Sequence, residues 1–279
     1  MNPIDALFQR FRSQGRKAFM PFVTAGDPDL LTTELLVGEL SRRGANLVEI
    51  GFPYSDPIAD GAVIQASYTR ALNKGLRIDD VYACARRLAE APATRNVPRV
   101  AMVSYSLVHR RGPENFLAKA QDAGFSGAIV PDLPVEESEP LARLAAPRDF
   151  KVIQLVTPTT PRERAVRIAG ISTGFLYCVS VTGITGERDG LPQVLLDQLA
   201  WLRRQTELPI CVGFGISRPD HVRMLRDVVD GIIVGSALVR RVEQAATRPT
   251  EEIVREVGDL AQALADALAA GPGPVGRTP

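Results

Sequence analysis

The sequence predicts a (β/α)8 barrel, the TIM-barrel class of α/β folds. Eight short apolar runs rich in β-branched residues recur along the chain, and amphipathic stretches with helical spacing separate them. Strands that are apolar on both faces are typical of a parallel sheet covered by helices, and eight such units close a barrel. The length of 279 residues fits a barrel of about 250 residues with additions.

The first strand follows a short extra helix at the N-terminus. Ile4, Leu7, Phe8 and Phe11 share one face of this helix, and Gly15 provides a stop. The eight predicted strands that follow are Ala18–Ala25, Leu47–Gly51, Val100–Ser104, Gly127–Val130, Lys151–Val156, Gly174–Val179, Ile210–Phe214 and Gly231–Val234.

Helical patterns fill the segments between the strands. Two of them, Val63–Asn73 and Ile78–Ala91, separate the second and third strands as additional helices, and a final helix runs from Thr250 to Ala269. Further examples are Leu30–Arg43, Glu114–Ala123, Val194–Gln205 and His221–Val228.

No linker divides the chain, so we assign residues 1–270 to one barrel domain. Residues 271–279 are rich in Gly and Pro and are predicted to be a disordered tail. The alternative fold is a doubly wound open sheet, which is disfavoured because no GxGxxG motif follows the first strand.

Composition excludes several classes of function. The net charge of +1 gives no global field for nucleic acid or membrane. No apolar run approaches the roughly 18 residues of a membrane span, and the N-terminus MNPIDALFQRF lacks the apolar core of a signal peptide. Cys84, Cys178 and Cys211 form no CxxC pair, so we expect a reduced, cytoplasmic protein.

The stretch Leu47–Gly61, LVEIGFPYSDPIADG, contains the main candidates for catalysis. Glu49 interrupts a buried strand, and Asp60 follows in the adjoining loop. An unpaired buried carboxylate costs several kcal/mol. One interpretation is an ion pair hidden in the core. We favour a catalytic acid/base whose pKa is changed by burial, assisted by Asp60.

Three Gly-rich segments follow the last three predicted strands, where barrel enzymes carry their active sites. They are Gly183–Gly186, Gly213–Ser217 and Gly235–Ser236. Exposed backbone N–H groups and a helix N-terminus in such loops bind phosphate. The alternative is that these glycines only form tight turns.

An apolar pocket is expected beside the phosphate site, because six large side chains on the strands can point inward. These residues are also ordinary barrel core, and a flat aromatic group would fit among them. They are Phe22, Met102, Ile129, Tyr177, Phe214 and Ile233.

Several kinds of catalysis are excluded because the residues that they require do not occur at suitable positions. None of the four lysines follows a strand, so no Schiff base is expected. His109 and His221 are the only histidines, and we expect His221 to be a solvated helix residue, so a His-rich zinc site is excluded. No carboxylates show the spacing of metal ligands. We expect a cofactor-free acid/base enzyme without a metal.

In combination, the motifs of this chain resemble the alpha subunit family of tryptophan synthase from about Ile4 to Ala267. The motifs that carry the resemblance are PFVTAGDPD, LVEIGFPYSDPIADG, VPDLPVEE, PTTPRER, YCVSVTGITGERDGLP, VGFGIS and VGSALV.

This resemblance implies a lyase that cleaves indole-3-glycerol phosphate to indole and glyceraldehyde 3-phosphate. It also implies a pyridoxal-phosphate-bearing beta partner in an alpha2beta2 tetramer, which uses the indole to make tryptophan. Glu49 would be the acid/base residue, and Asp60 would stabilise positive charge on the indole nitrogen. Asp56 and Pro57 would lie in the loop that faces the beta subunit.

The resemblance also implies roles for the residues that bind substrate. Thr185 would belong to a mobile lid that closes over the site and meets Asp60. Phe22, Tyr177 and Phe214 match the indole pocket, and the phosphate site is matched by Gly186, Gly215, Gly235 and Ser236.

One segment departs from the family pattern. After the third strand the family tends to read Tyr-x-Asn-Pro, whereas this chain has Ser104–Leu107 followed by the basic residues His109–Arg111. We expect this loop to lie near the indole pocket and the partner face. The alternatives to the lyase are a stand-alone indole-releasing enzyme, a non-catalytic activator of the beta subunit, and another phosphate-handling barrel such as an isomerase or indole-glycerol-phosphate synthase.

Overall fold

The computed structural model describes residues 1–180, 193–213 and 215–269. Eight strands in this part of the chain pair in parallel and in sequential order, and β1 closes on β8, so the predicted barrel is confirmed. The strands are β1 (Ala18–Thr24), β2 (Val48–Gly51), β3 (Arg99–Met102), β4 (Gly127–Ile129), β5 (Lys151–Val156), β6 (Leu176–Val179), β7 (Ile210–Gly213) and β8 (Gly231–Val234).

Helices surround the barrel. None of the described helices is long and apolar enough to cross a membrane. Single 3-10 turns lie at Ala146–Arg148 and Glu243–Ala246. The α-helices are α1 (Pro3–Ser13), α2 (Leu30–Arg42), α3 (Ala62–Asn73), α4 (Ile78–Glu90), α5 (Tyr105–Arg111), α6 (Pro113–Asp122), α7 (Val135–Ala145), α8 (Arg162–Ile171), α9 (Gln193–Leu202), α10 (Pro219–Leu225), α11 (Ser236–Val242) and α12 (Thr250–Ala269).

Side chains alternate between the barrel interior and the layer under the helices, because successive residues of a strand point to opposite faces. On β1, Met20 and Phe22 belong to the interior cluster, whereas Phe19 and Val23 pack against the helices. Glu49 pairs in register with Phe22. Its neighbours Val48 and Ile50 belong to the outer layer, so the Glu49 side chain faces the interior.

Helix α1 covers the N-terminal end of the barrel. Its predicted apolar face is buried in the interior cluster, where the ring centroids of Phe8 and Phe175 are 5.8 Å apart. Asn2 caps the helix by accepting a hydrogen bond from the Ile4 N–H at 2.8 Å. Its amide also donates to the carbonyls of Ser126 and Asp149, just before β4 and β5, at 2.8 and 2.6 Å. This end of the barrel is therefore filled, and a site must open at the other end.

The segment after β3, which we expected to be a loop, contains helix α5. Ser104 caps this helix, because its hydroxyl oxygen accepts from the Ser106 N–H at 3.1 Å. Asp132, which follows β4, accepts from the Tyr105 N–H at 2.8 Å. These two side chains satisfy N–H groups of the first turn, which a short helix otherwise leaves unpaired. The assignment of residues 1–270 to one domain stays a prediction, and the predicted tail 271–279 lies outside the described residues.

The interactions of Asn2 predict a measurable contribution to stability. Replacing Asn2 with alanine removes the helix cap and the two hydrogen bonds to the carbonyls of Ser126 and Asp149. We expect the free energy of unfolding in urea to fall by about 3 kcal/mol. Asn115→Ala is the control, because the exposed Asn115 amide donates to the Arg111 carbonyl and to no other group in the described part of the chain. Equal stability of the two variants would contradict the role given to Asn2.

Candidate active site

A cavity of about 260 Å³ opens at the C-terminal ends of the strands. It is the meeting point of residues that the sequence places far apart. Nine of the thirteen predicted catalytic and substrate-binding residues line it: Phe22, Glu49, Asp60, Met102, Tyr177, Gly215, Ile233, Gly235 and Ser236. Their contacts with substrate stay a prediction.

Glu49 is fully buried on the interior face of β2. Within the described residues, neither carboxylate oxygen has a hydrogen-bond partner. Loss of hydration disfavours the charged form, so burial raises the pKa of Glu49 to about 8. The alternative of a buried ion pair finds no support in the described part of the chain. At neutral pH the side chain is a protonated acid that faces a cavity.

Asp60 lies in the loop between β2 and α3, at the edge of the same cavity. Gln65 of α3 holds the loop by donating to the Asp60 carbonyl at 2.8 Å. Burial raises the pKa of Asp60 to about 6, and the nearby charge of Asp132 adds to this effect, whereas a hydrogen bond from Tyr54 opposes it. At neutral pH Asp60 is therefore mostly ionised. At neutral pH, Glu49 and Asp60 therefore line the same cavity in different protonation states, with Glu49 neutral and Asp60 negatively charged.

The polar end of the cavity is formed by loops after β7 and β8. Gly215 has a φ of +75°, a conformation that favours glycine. Gly235 and Ser236 begin α11, and the side chains of Ser217 and Arg240 line the cavity beside them. Ser217 ends the predicted glycine-rich segment Gly213–Ser217, although no contact of its own was assigned to it, and sequence reasoning missed Arg240. Arg240 lies four residues after Ser236 on the same helix, so the two side chains share a helix face. This spacing is the sequence signal that could have placed Arg240 at the same end of the cavity.

Aromatic and aliphatic side chains form the apolar part of the wall. Tyr177 of β6 and Phe22 of β1 are both almost completely buried there, with Met102 and Ile233. The Tyr177 ring lies directly over Gly213, where an added Cβ would be 2.2 Å from the hydroxyl oxygen. A glycine at this point of β7 therefore makes room for the ring. This wall suits a flat aromatic group, while the glycine and arginine end suits an anion.

Four of the thirteen predicted residues do not line the cavity in the described structure. Ile129 is fully buried in the interior cluster but is absent from the cavity wall, where its register partner Met102 is found instead. Its side chain serves interior packing. Thr185, Gly186 and Phe214 lie outside the described residues.

The expectation that His221 is a solvated helix residue was wrong. Only 3% of its surface is exposed. The Ser217 N–H lies 3.4 Å from its Nδ1 atom, and the Arg218 guanidinium contacts its Nε2 atom. Burial and the Arg218 charge lower the pKa of His221, so the ring is neutral. It supports the loop that carries Gly215 and Ser217, a role that helical periodicity alone does not reveal.

The loop after β2 also reaches the surface. Asp56 is exposed and accepts a hydrogen bond from the Ser55 hydroxyl at 2.6 Å, and Pro57 is half-buried. The next residue, Ile58, is 87% exposed, the largest exposure of a large apolar side chain among the described residues. Contact of Asp56 and Pro57 with a partner stays a prediction.

No group of three or more His, Cys, Asp or Glu side chains within residues 1–180, 193–213 and 215–269 is arranged to hold a metal ion. The described groups of the cavity are a protonated carboxylic acid, a carboxylate, an apolar wall and an anion-binding end. Such a set can transfer protons to and from a bound molecule that has an aromatic part and a negatively charged part.

Comparisons with known proteins agree with this geometry. The family model described as tryptophan synthase alpha chain matches residues 8–269. A tryptophan synthase alpha chain from Rhodopirellula baltica is 52% identical over 275 residues, which are 96% of this chain and 99% of the relative. One from Synechococcus elongatus is 45% identical and covers 92% of this chain and 96% of its own length.

Solved structures give the same result. The crystal structure of the tryptophan synthase alpha chain from Legionella pneumophila has a TM-score of 0.86 at 30% identity and covers both chains completely. A chain from the tryptophan synthase a2b2 complex of Pyrococcus furiosus has a TM-score of 0.82 at 34% identity, over 89% of this chain and 98% of that chain. By sequence and by structure, this chain belongs to the tryptophan synthase alpha chain family.

Proposed function

We propose that the cavity cleaves indole-3-glycerol phosphate by acid/base chemistry, with Glu49 transferring protons and Asp60 stabilising charge. The chain is a carbon–carbon lyase of tryptophan biosynthesis, the alpha subunit of tryptophan synthase, and its partner is the beta subunit. The observation that carries the site assignment is the enclosed Glu49 carboxyl, which lacks a hydrogen-bond partner in the described residues and faces a cavity.

In the first step, the indole ring of the substrate accepts a proton. The protonated Glu49 gives its proton to the ring carbon that bears the glycerol phosphate side chain, which leaves a positive charge centred on the ring nitrogen. The Asp60 carboxylate stabilises that charge. Because much of the cavity wall is apolar, the attraction between the two charges is stronger there than in bulk solvent.

The same Glu49 carboxylate then acts as the base. It takes the proton of the hydroxyl on the carbon next to the ring, and the electrons of that O–H bond form the aldehyde carbonyl. The carbon–carbon bond breaks, and its electron pair returns to the ring, which neutralises the nitrogen and restores aromaticity. Indole and glyceraldehyde 3-phosphate are released, and Glu49 is protonated again for the next cycle.

The two ends of the cavity hold the substrate in the orientation that this sequence requires. Phe22 and Tyr177 contact the indole ring, and the backbone of Gly215 and Gly235 with the Ser236 hydroxyl binds the phosphate. Thr185, Gly186 and Phe214 are assigned to the same substrate contacts by resemblance. Fixing both ends keeps the scissile bond beside Glu49, and such positioning lowers the entropic part of the barrier.

The exposed loop with Asp56 and Pro57 is assigned to the face that meets the beta subunit. Asp60 belongs to the same loop, four positions after Asp56. A contact at the surface would therefore act on the site along this short stretch of backbone. We also assign the chain to the cytoplasm. Its cysteines, Cys84, Cys178 and Cys211, are free and buried, as expected in a reducing compartment.

Replacing Glu49 with glutamine tests the assignment of the acid/base residue. The amide keeps the shape of the side chain but cannot donate and accept the same proton. We expect the rate of indole release from indole-3-glycerol phosphate, measured with saturating beta subunit, to fall by about 10²- to 10⁴-fold. Glu207→Gln is the control, because the Glu207 side chain is fully exposed.

Binding and activation of the beta subunit give a second measurement on the Glu49→Gln variant. We expect Glu49→Gln to bind the beta subunit normally, because Glu49 is enclosed in the barrel. An unchanged rate of indole release in this variant would remove Glu49 from the mechanism. The non-catalytic activator predicts instead that the parent chain releases no indole and that activation of the beta subunit survives Glu49→Gln.

The pH dependence of kcat/KM follows from the two charge states. Asp60 must be ionised, so the rate rises with pH through about 6. Glu49 must begin protonated, so the rate falls again as the pH increases through about 8. The substrate phosphate also titrates at about pH 6. Asp60→Asn separates the two effects, since only the substrate contribution remains, and a profile without an alkaline limb would contradict the role of Glu49.

A further inference from the structure

Helix α3, which follows the loop after β2, is attached to the end of β1 and to the loop beyond it by two polar contacts. Thr24 at the end of β1 and Ser67 of α3 are both buried, and their hydroxyl oxygens are 2.7 Å apart. Further along α3, the Arg70 guanidinium donates to both carboxylate oxygens of the buried Asp27 at 2.9 and 2.8 Å. Phe22, which lines the cavity, lies on the same strand as Thr24. Helix α3 is therefore held in a fixed position relative to the cavity wall.

The Gln65 side chain extends from this helix back to the loop, because helical side chains lean toward the N-terminus of their helix. Its Nε2 atom lies 2.8 Å from the Asp60 carbonyl oxygen and 3.1 Å from the Pro57 carbonyl oxygen. A glutamine amide has two N–H donors, and each donor has one of these acceptors. The Asp60 N–H also donates to the Pro57 carbonyl at 3.1 Å, which closes a turn. The amide therefore joins both ends of this turn to α3.

No other side chain provides a comparable support for the turn. The Ile58 N–H and the Ser55 hydroxyl both donate to Asp56, inside the same loop. In the part of the chain that the structure describes, Gln65 is the only side chain from outside residues 52–61 that donates to the backbone of this segment. Apolar packing contributes little, since Ile58 is 87% exposed. The position of the turn relative to the barrel therefore depends on the Gln65 amide.

We propose that Gln65 is a positioning residue, which holds the Asp60 carboxylate at the distance from the indole nitrogen that the reaction requires. The proposal rests on the function assigned to Asp60 above. Gln65 is not among the described residues that line the cavity, so its effect on the substrate passes through Asp60. The carbonyl and the side chain of Asp60 are attached to one Cα atom, so fixing the carbonyl limits how far the carboxylate can move.

The proposed chemistry requires a carboxylate that is held in place. The charge on the ring nitrogen exists only during the reaction, so the carboxylate must be in position before that charge develops. Attraction between charges falls with distance, and a displacement of about 1 Å from the productive geometry can lower a rate by about 10²-fold. Sites on helices are more precise than sites on loops. Helix α3 supplies this precision to the loop through Gln65.

Replacing Gln65 with methionine tests the proposal. Methionine has a similar length and helix propensity but no N–H donor. With saturating beta subunit, we expect kcat for indole release from indole-3-glycerol phosphate to fall about tenfold, while KM stays within about twofold of the parent value. Loss of an interaction that is made only in the transition state lowers kcat and kcat/KM equally, whereas loss of a substrate contact raises KM.

A double-mutant cycle with Asp60→Asn separates positioning of the carboxylate from packing of the loop. If Gln65 acts only through the Asp60 carboxylate, Gln65→Met has no carboxylate to displace in the Asp60→Asn background. We therefore expect it to change kcat by less than about twofold in that background, compared with about tenfold in the parent chain. A general loss of structure would lower kcat by the same factor in both backgrounds.

Gln121→Met is the matched control. The exposed Gln121 amide of α6 donates to the Arg148 carbonyl at 2.8 Å, at the filled end of the barrel. The substitution therefore removes the same kind of hydrogen bond, from a helix side chain to a backbone carbonyl, far from the cavity. We expect this variant to keep the parent values of kcat and KM. Titration of every variant with the beta subunit establishes the saturating concentration.

The possible outcomes separate this proposal from the proposed function. An unchanged kcat for Gln65→Met, a rise in KM alone, or an equal loss in the parent and Asp60→Asn backgrounds would overturn the role of Gln65 while the proposed function stands. A loss that disappears when more beta subunit is added would also overturn it, since Gln65 would then serve partner binding. Absence of indole release from the parent chain, or an unchanged kcat in Asp60→Asn, would instead overturn the proposed function and the role of Gln65 with it.

Discussion

Burial of the Glu49 carboxyl inside the barrel is the constraint on which the site depends. The usual pKa of a glutamate is 4.5, and enclosure raises that of Glu49 to about 8. Between these values the folded chain holds a proton that the unfolded chain has released, so stability from this group is lost as the pH rises. An isosteric apolar residue would avoid this loss. The barrel retains an acid at a position where packing alone would favour a hydrocarbon.

Burial of Glu49 is possible because the two ends of the barrel differ in structure. At the N-terminal end of the strands, α1 fills the opening with its apolar face, and Asn2 ties it to the carbonyls of Ser126 and Asp149. At the other end the strands stop under loops that carry Asp60, Gly215 and Gly235. Rigid packing below and functional loops above allow the site to be polar without loosening the core.

Periodicity predicted most of the fold, because strands of a parallel barrel are apolar runs and their covering helices are amphipathic. It failed at α5, where a serine cap and a distant aspartate, Asp132, stabilise a helix that the local sequence does not announce. It also missed the burial of His221. In the site, Glu49 was predictable because a carboxylate interrupts an apolar run. Arg240 gave a weaker signal, its helical spacing of four residues from Ser236, and its place at the cavity follows only from the folded structure.

The protonation state of Glu49 is the central claim, and carbon NMR of the chain labelled at its glutamate carboxyl carbons measures it directly. The account predicts one carboxyl signal that titrates at about pH 8 and that is missing from the spectrum of the Glu49→Gln variant. If every glutamate signal instead titrates near the usual value of 4.5, the buried acid is already ionised at neutral pH. The protonation of the ring by Glu49 would then be contradicted.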